Sequence, residues 1–177
     1  MAVTLVVEDG TGKSDANALI SLAAFKVYLD ERGTSYSAYT DDQLNGALVR
    51  ASAFLTNAFV WDGLKVNGRD QTMSWPRVNM LDREGWVIPS DEVPREVVAA
   101  CAEIAIYEAE TPGAMNPSVV LAEKVRSEQV GSIRVEYANL FTSASDARPT
   151  LTIIHDLLAP FLSRDRGSAL SGKAVRG

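Results

Sequence analysis

The longest regular alternation of apolar and polar positions lies between Thr40 and Phe59. Leu44, Leu48, Ala51, Leu55 and Ala58 recur at three- and four-residue intervals, flanked by Ala47, Phe54 and Phe59, which is the apolar stripe of an amphipathic helix. TDDQ in front of it is a capping box. The Thr40 hydroxyl and the Gln43 amide can satisfy two orphan N–H groups, and Asp41 and Asp42 suit the positive end of the helix dipole. The pattern predicts a helix over about 41–59. LAAFKVYLDER, opened by Ser21 as N-cap and stopped by Gly33, predicts another over about 22–32. REVVAACAEIAIYEAE predicts a third over about 94–110, with Pro94 in its first turn and a stop at Thr111, Pro112 and Gly113. Ile153, Ile154, Leu157, Leu158, Phe161 and Leu162 predict a fourth over about 150–163, which Pro160 kinks or ends.

Elsewhere the period changes or vanishes. Residues 3–7 read as extended and lead into a glycine turn. In EKVRSEQVGSIRVEY two extended runs meet at Gly131 and Ser132, with Ile133, Val135 and Tyr137 alternating against Arg134 and Glu136, the pattern of a hairpin with one wet face. From Trp61 to Pro89 turn chemistry replaces periodicity altogether. The expected fold is therefore mainly α: a small bundle of about four helices, a protruding β-hairpin, and a long ordered loop between helices two and three. The domain is expected over residues 1–163, with 164–177 as a flexible tail rich in Gly, Ser and Ala.

Composition agrees with a globular chain. It has 177 residues, 46% hydrophobic and 23% charged, enough for one domain with a core of its own. No apolar run approaches the roughly 20 residues that span a bilayer, and the N-terminal residues have neither a basic leader nor a long apolar core, so neither membrane insertion nor secretion is expected. Charge is unevenly spread. Arg164, Arg166, Lys173 and Arg176 against Asp165 give the tail a net +3, which leaves −9 for the rest of a chain whose net charge is −6. An acidic body is a poor partner for a phosphate backbone, where affinity comes from Lys and Arg. The four tail cations are the candidate contacts to a partner protein or a neighbouring subunit.

With one cysteine and one histidine, the chain can form no internal disulfide and no zinc site of Cys and His ligands. His155, on the fourth predicted helix, reads as a surface or partly buried structural residue, and Cys101 as a small buried hydrophobe. VVEDGTGKS looks like a phosphate-binding loop, but Val7 stands where the first glycine belongs, and Glu8 and Asp9 would face the phosphates. NMLDREGWVIPSD resembles a calcium loop, yet begins its ligand series at Met80 and ends it at Asp91, so it reads as a turn. Asp41 and Asp42 are helix-start residues rather than paired catalytic acids. No catalytic, metal or cofactor residue is expected, and no cofactor.

The 61–89 loop interleaves Trp61, Trp75 and Trp86 with Lys65, Arg69, Arg77 and Arg83, as a single-stranded nucleic-acid platform would. Asp62, Asp70, Asp82 and Glu84 cancel those four cations. The charge census favours the alternative, in which the tryptophans pin the loop onto the helices.

Four blocks carry a family resemblance: VEDGTGKSDANALISLAAFKVYLDERG, ASAFLTN with WDGLKVNGRDQTMSWPR, DREGWVIPSDEVPREVVAACAEIA, and EQVGSIRVEY ahead of LLAPFL. Together, over about residues 6–162, they resemble tailed-bacteriophage proteins labelled DnaT-like single-stranded-DNA-binding proteins, which are similar in turn to head-tail connector adaptors. The resemblance implies a structural virion protein at the head-tail junction, made in the host cytoplasm. It would form a dodecameric ring between the portal and a stopper or tail-completion protein, and double-stranded DNA would pass through the lumen without sequence-specific contacts. The runner-up is a DnaT-like single-stranded-DNA-binding protein, for which Trp61, Trp75, Arg77 and Trp86 would be the contacts.

Overall fold

Helix α2 forms where its cap and stripe predict it. In a computed structural model that describes residues 3–117, 127–130, 133–136 and 149–163, it spans Asp41–Ala58. Both halves of the capping box are made: Gln43 N–H donates to the Thr40 hydroxyl, and Thr40 N–H donates to the Gln43 side chain at 2.8 Å. The buried face is Leu44, Ala47, Leu48, Ala51, Ser52 and Leu55, whereas Ala58 is exposed because the helix ends there.

The neighbouring helices supply what that face needs. α1 spans Leu22–Glu31, with the Ser21 hydroxyl accepting from Ala24 N–H, and buries Phe25 and Leu29. α3 spans Arg95–Glu110 and packs along α2, burying Val97, Ala100, Cys101, Ile104 and Ala105. Alanines in the seam let the two backbones approach closely, and each large apolar side chain buried there contributes on the order of 1.5–3 kcal/mol. Pro94 is the N-cap of α3 rather than its first residue, one position outside the predicted start. Ser52, a polar residue inside the seam, accepts from Leu19 N–H and hydrogen bonds the Cys101 thiol. Burial pushes that thiol up to about 11. Cys101 is thus the inert core residue the sequence suggested.

The fourth predicted helix is shorter than 150–163. α4 covers Thr152–Leu158 and passes into a 3-10 turn, Ala159–Phe161. Pro160 explains the change, since it has no N–H to donate and its ring would meet the Asp156 carbonyl of a continued α-helix. α4 lies against α3 and buries Ile154 and Leu158, while Phe161 of the 3-10 turn is buried against Trp75. His155 stays on the surface with its ring edge-on to Phe59 at 5.8 Å.

The stretch expected to lack regular structure holds a short ladder. β1 (Leu64–Lys65) and β2 (Arg77–Val78) pair antiparallel, Leu64 against Val78 and Lys65 against Arg77. The predicted hairpin is present as β3 (Ser127–Val130) and β4 (Ile133–Glu136), with Val130 opposite Ile133 and Ser127 opposite Glu136. Tyr137, the side-chain faces of the hairpin and the tail cations Arg164, Arg166, Lys173 and Arg176 lie outside the described residues. Among those described, no helix is long and apolar enough to cross a membrane.

Candidate functional site

The glycine loop after Val7 does cradle an anion, and the anion is its own. Glu8 is buried, and its carboxylate accepts from Gly10 N–H at 3.0 Å, Gly12 N–H at 2.8 Å and Lys13 N–H at 2.9 Å. Convergent backbone N–H groups of this kind bind phosphate in nucleotide loops. Here the side chain that opens the loop fills the nest. Gly10 has a φ of +98°, and a Cβ there would run into the Asp91 carbonyl oxygen, so the turn also depends on the bare glycine. Lys13, expected on the surface, is two-thirds covered. It pairs with Asp9 at 2.8 Å and donates to the Val7 carbonyl at 3.0 Å. The hydrogen bond from Lys13 holds the Asp9 carboxyl down to about 2. The three N–H groups and the lysine that would hold a phosphate are thus already engaged within the loop.

The tryptophan-rich loop divides into an inside and an outside. Trp75 is fully buried and meets Trp61 edge-on at 5.8 Å and Phe161 at 5.5 Å. Trp61, 8% exposed, donates its indole N–H to the Leu55 carbonyl at 3.2 Å. The two rings join the end of α2 to the 3-10 turn. Arg77 is buried too. Its guanidinium donates to three backbone carbonyls, of Asp62 at 2.6 Å, Gly63 at 2.9 Å and Ser74 at 3.0 Å. Burial lowers its pKa, against an opposing pull from Asp62. Lys65 donates to the Gln71 carbonyl at 3.0 Å, and burial followed by the Arg77 charge lowers its pKa also. These cations hold loop backbone rather than face a ligand.

Trp86 is the exception, at 74% exposure. The loop is therefore anchored by Trp61 and Trp75, while Trp86 stands at the tip of a separate turn. Leu81 and Val87 pair across that turn, and the Asp82 carboxylate accepts from Glu84 N–H at 3.0 Å and Trp86 N–H at 2.8 Å. This is the calcium-like segment, organised as an Asx-type turn. Arg83 fastens it to α4 by donating to the Asp156 carbonyl at 2.8 Å. Of the four residues that could have formed a stacking platform, Trp61, Trp75 and Arg77 lie in the interior, and Trp86 is on the surface.

Glu108 was invisible to the sequence reading. It sits on the buried side of α3, where its carboxylate accepts from Arg50 Nε at 2.7 Å, Gly113 N–H at 2.7 Å and Met115 N–H at 2.9 Å. Its place among the apolar positions of α3 was the available signal. Burial alone would raise its pKa, but the bonds from Arg50, Met115 and Gly113 outweigh it and hold the carboxyl below its ordinary value. A folded-state pKa below the unfolded one stabilises the protein at pH above the unfolded value and is lost as pH falls through the folded one. Glu108→Gln is therefore expected to be less stable at neutral pH, with the difference from the parent chain closing in acid. Urea midpoints from pH 7 down to pH 3 check this, and a difference independent of pH would contradict it.

A family model described as "Putative DnaT-like ssDNA binding protein" matches residues 3–177. No curated protein and no solved structure matches the chain.

Proposed function

The chain belongs to the DnaT-like single-stranded-DNA-binding family, and on that premise we propose a non-enzymatic binding and assembly protein, best read as a head-tail connector adaptor. In this reading copies form a dodecameric ring at the head-tail junction of a virion, with the portal on one side and a stopper or tail-completion protein on the other. Double-stranded DNA passes through the lumen, and the protein is made in the host cytoplasm.

One observation carries this reading: an acidic chain presents exposed apolar side chains on a fastened turn. The net charge is −6, two of the three tryptophans are interior, and a fastened turn holds Leu81, Trp86 and Val87 out to solvent. Exposed aromatic and aliphatic residues on a rigid support are what subunit contacts are made from. Like charge lets a genome slide through a conduit without adhering.

The family match supports a second reading, single-stranded-DNA binding, and says nothing of a virion. On the residues, that reading narrows to Trp86 as the stacking ring, with Arg83 and Arg95 on the adjoining surface. Negative-stain electron microscopy of the purified protein and of the virion tests the adaptor reading. Rings, or density between portal and tail, are expected. Single copies with no density at that junction would refute it.

A further inference from the structure

Beside the Trp86 turn runs a groove of which the function proposed above makes no use. Three adjoining hollows of 280, 430 and 360 Å³ share Asp82 and Pro160 as walls, so they form one trough between the turn and the C-terminal end of α4. Asp62, Asp82, Glu84 and Asp156 line it against Arg83, while Arg95 and Glu96 pair with each other at 3.0 Å. Leu81 lines it, and Trp86 and Val87 belong to the same turn as Leu81 and Asp82; the three apolar residues are exposed by 50, 74 and 75%. An acidic trough beside an apolar turn calls for a basic segment with a few apolar side chains.

The chain's own C-terminal segment has that chemistry and starts in the right place. Ser163 N–H donates to the Val60 carbonyl at 2.9 Å and Leu162 bridges Trp61, immediately after Pro160 on the trough wall. The 14 residues that follow, RDRGSALSGKAVRG, carry a net +3 together with Leu170 and Val175. Extended, they span up to about 45 Å, which is ample for the trough. We propose that residues 164–177 dock in cis along this trough, their cations against Asp82, Glu84 and Asp156 and their apolar side chains against Trp86. Attachment beside the site favours this occupant over any free one, because an attached segment is present at an effective concentration on the order of millimolar.

Acrylamide quenching of tryptophan emission tests the proposal, since Trp86 is the exposed ring of the three. Three proteins are compared: the full chain, the chain ended after Ser163, and the full chain with Arg164, Arg166, Lys173 and Arg176 changed to serine. A contact whose dissociation constant is near the effective concentration is about half closed, so roughly twofold less quenching is expected in the full chain than in the other two. High salt is expected to remove the difference. Unchanged melting temperatures show that the variants are folded. Equal quenching in all three overturns the proposal. Shielding that grows with protein concentration would place the tail on a second copy, and overturns docking in cis equally.

Discussion

Replacing Trp75 with alanine is expected to cost about 3–5 kcal/mol of stability, the range for removing a large aromatic from a packed interior. The ring is fully buried and stacks edge-on with both Trp61 and Phe161, so its loss opens a cavity where α2, the long loop and the 3-10 turn meet. Little can collapse into that space, because Trp61 is tied to the Leu55 carbonyl and Arg77 to three backbone carbonyls. Trp86→Ala, on the exposed turn, is expected to stay within about 0.5 kcal/mol. Urea unfolding of the two variants checks the contrast. Equal costs would mean that the loop is not anchored as described.

Glu8→Ala is the second large effect expected, about 2–4 kcal/mol, because charge-assisted bonds to three N–H groups are lost together and two of those donors are buried. The loop carries further contacts that depend on its shape. Asn67 donates to the Thr11 and Gly12 carbonyls, both at 2.8 Å, and the Thr72 hydroxyl donates to the Ala16 carbonyl at 2.8 Å. Losing the central acceptor therefore loosens the seam between the N-terminal segment and the long loop. Glu8→Gln keeps one acceptor oxygen and should fall between the parent and Glu8→Ala. Denaturation midpoints with an unchanged m-value are the readout. A Glu8→Ala protein as stable as the parent would remove the self-filled nest from the account.

What the sequence revealed follows from the range of the forces involved. α2 was legible to within one residue because capping and a 3.6-residue apolar period are local. Ser21 and Gly33 framed α1 for the same reason. Pro160 announced a break without fixing its form, since tertiary contacts, Phe161 against Trp75 and the Trp61–Leu162 bridge, decide between a kink and a 3-10 turn. The β1–β2 ladder was hidden because two residues a side are too few for an alternating pattern. At the candidate site, composition showed that Trp61, Trp75 and Trp86 should serve as anchors, but sorting inside from outside takes tertiary contacts. The same holds for Arg77, a cation whose partners are all backbone carbonyls, and for Glu108, whose amide donors lie beyond the end of its helix. Glu8 was read as a charge that spoils a phosphate loop; that it occupies the loop follows only from how the backbone folds around it.

The central proposal is that this chain serves protein assembly rather than nucleic-acid contact, and a titration at low ionic strength of a labelled single-stranded oligonucleotide with the purified full chain tests it most directly. The account predicts a flat titration for the parent protein and for Trp86→Ala alike. Binding that weakens steeply with added salt and is lost in Trp86→Ala would contradict it and establish the single-stranded-DNA reading instead.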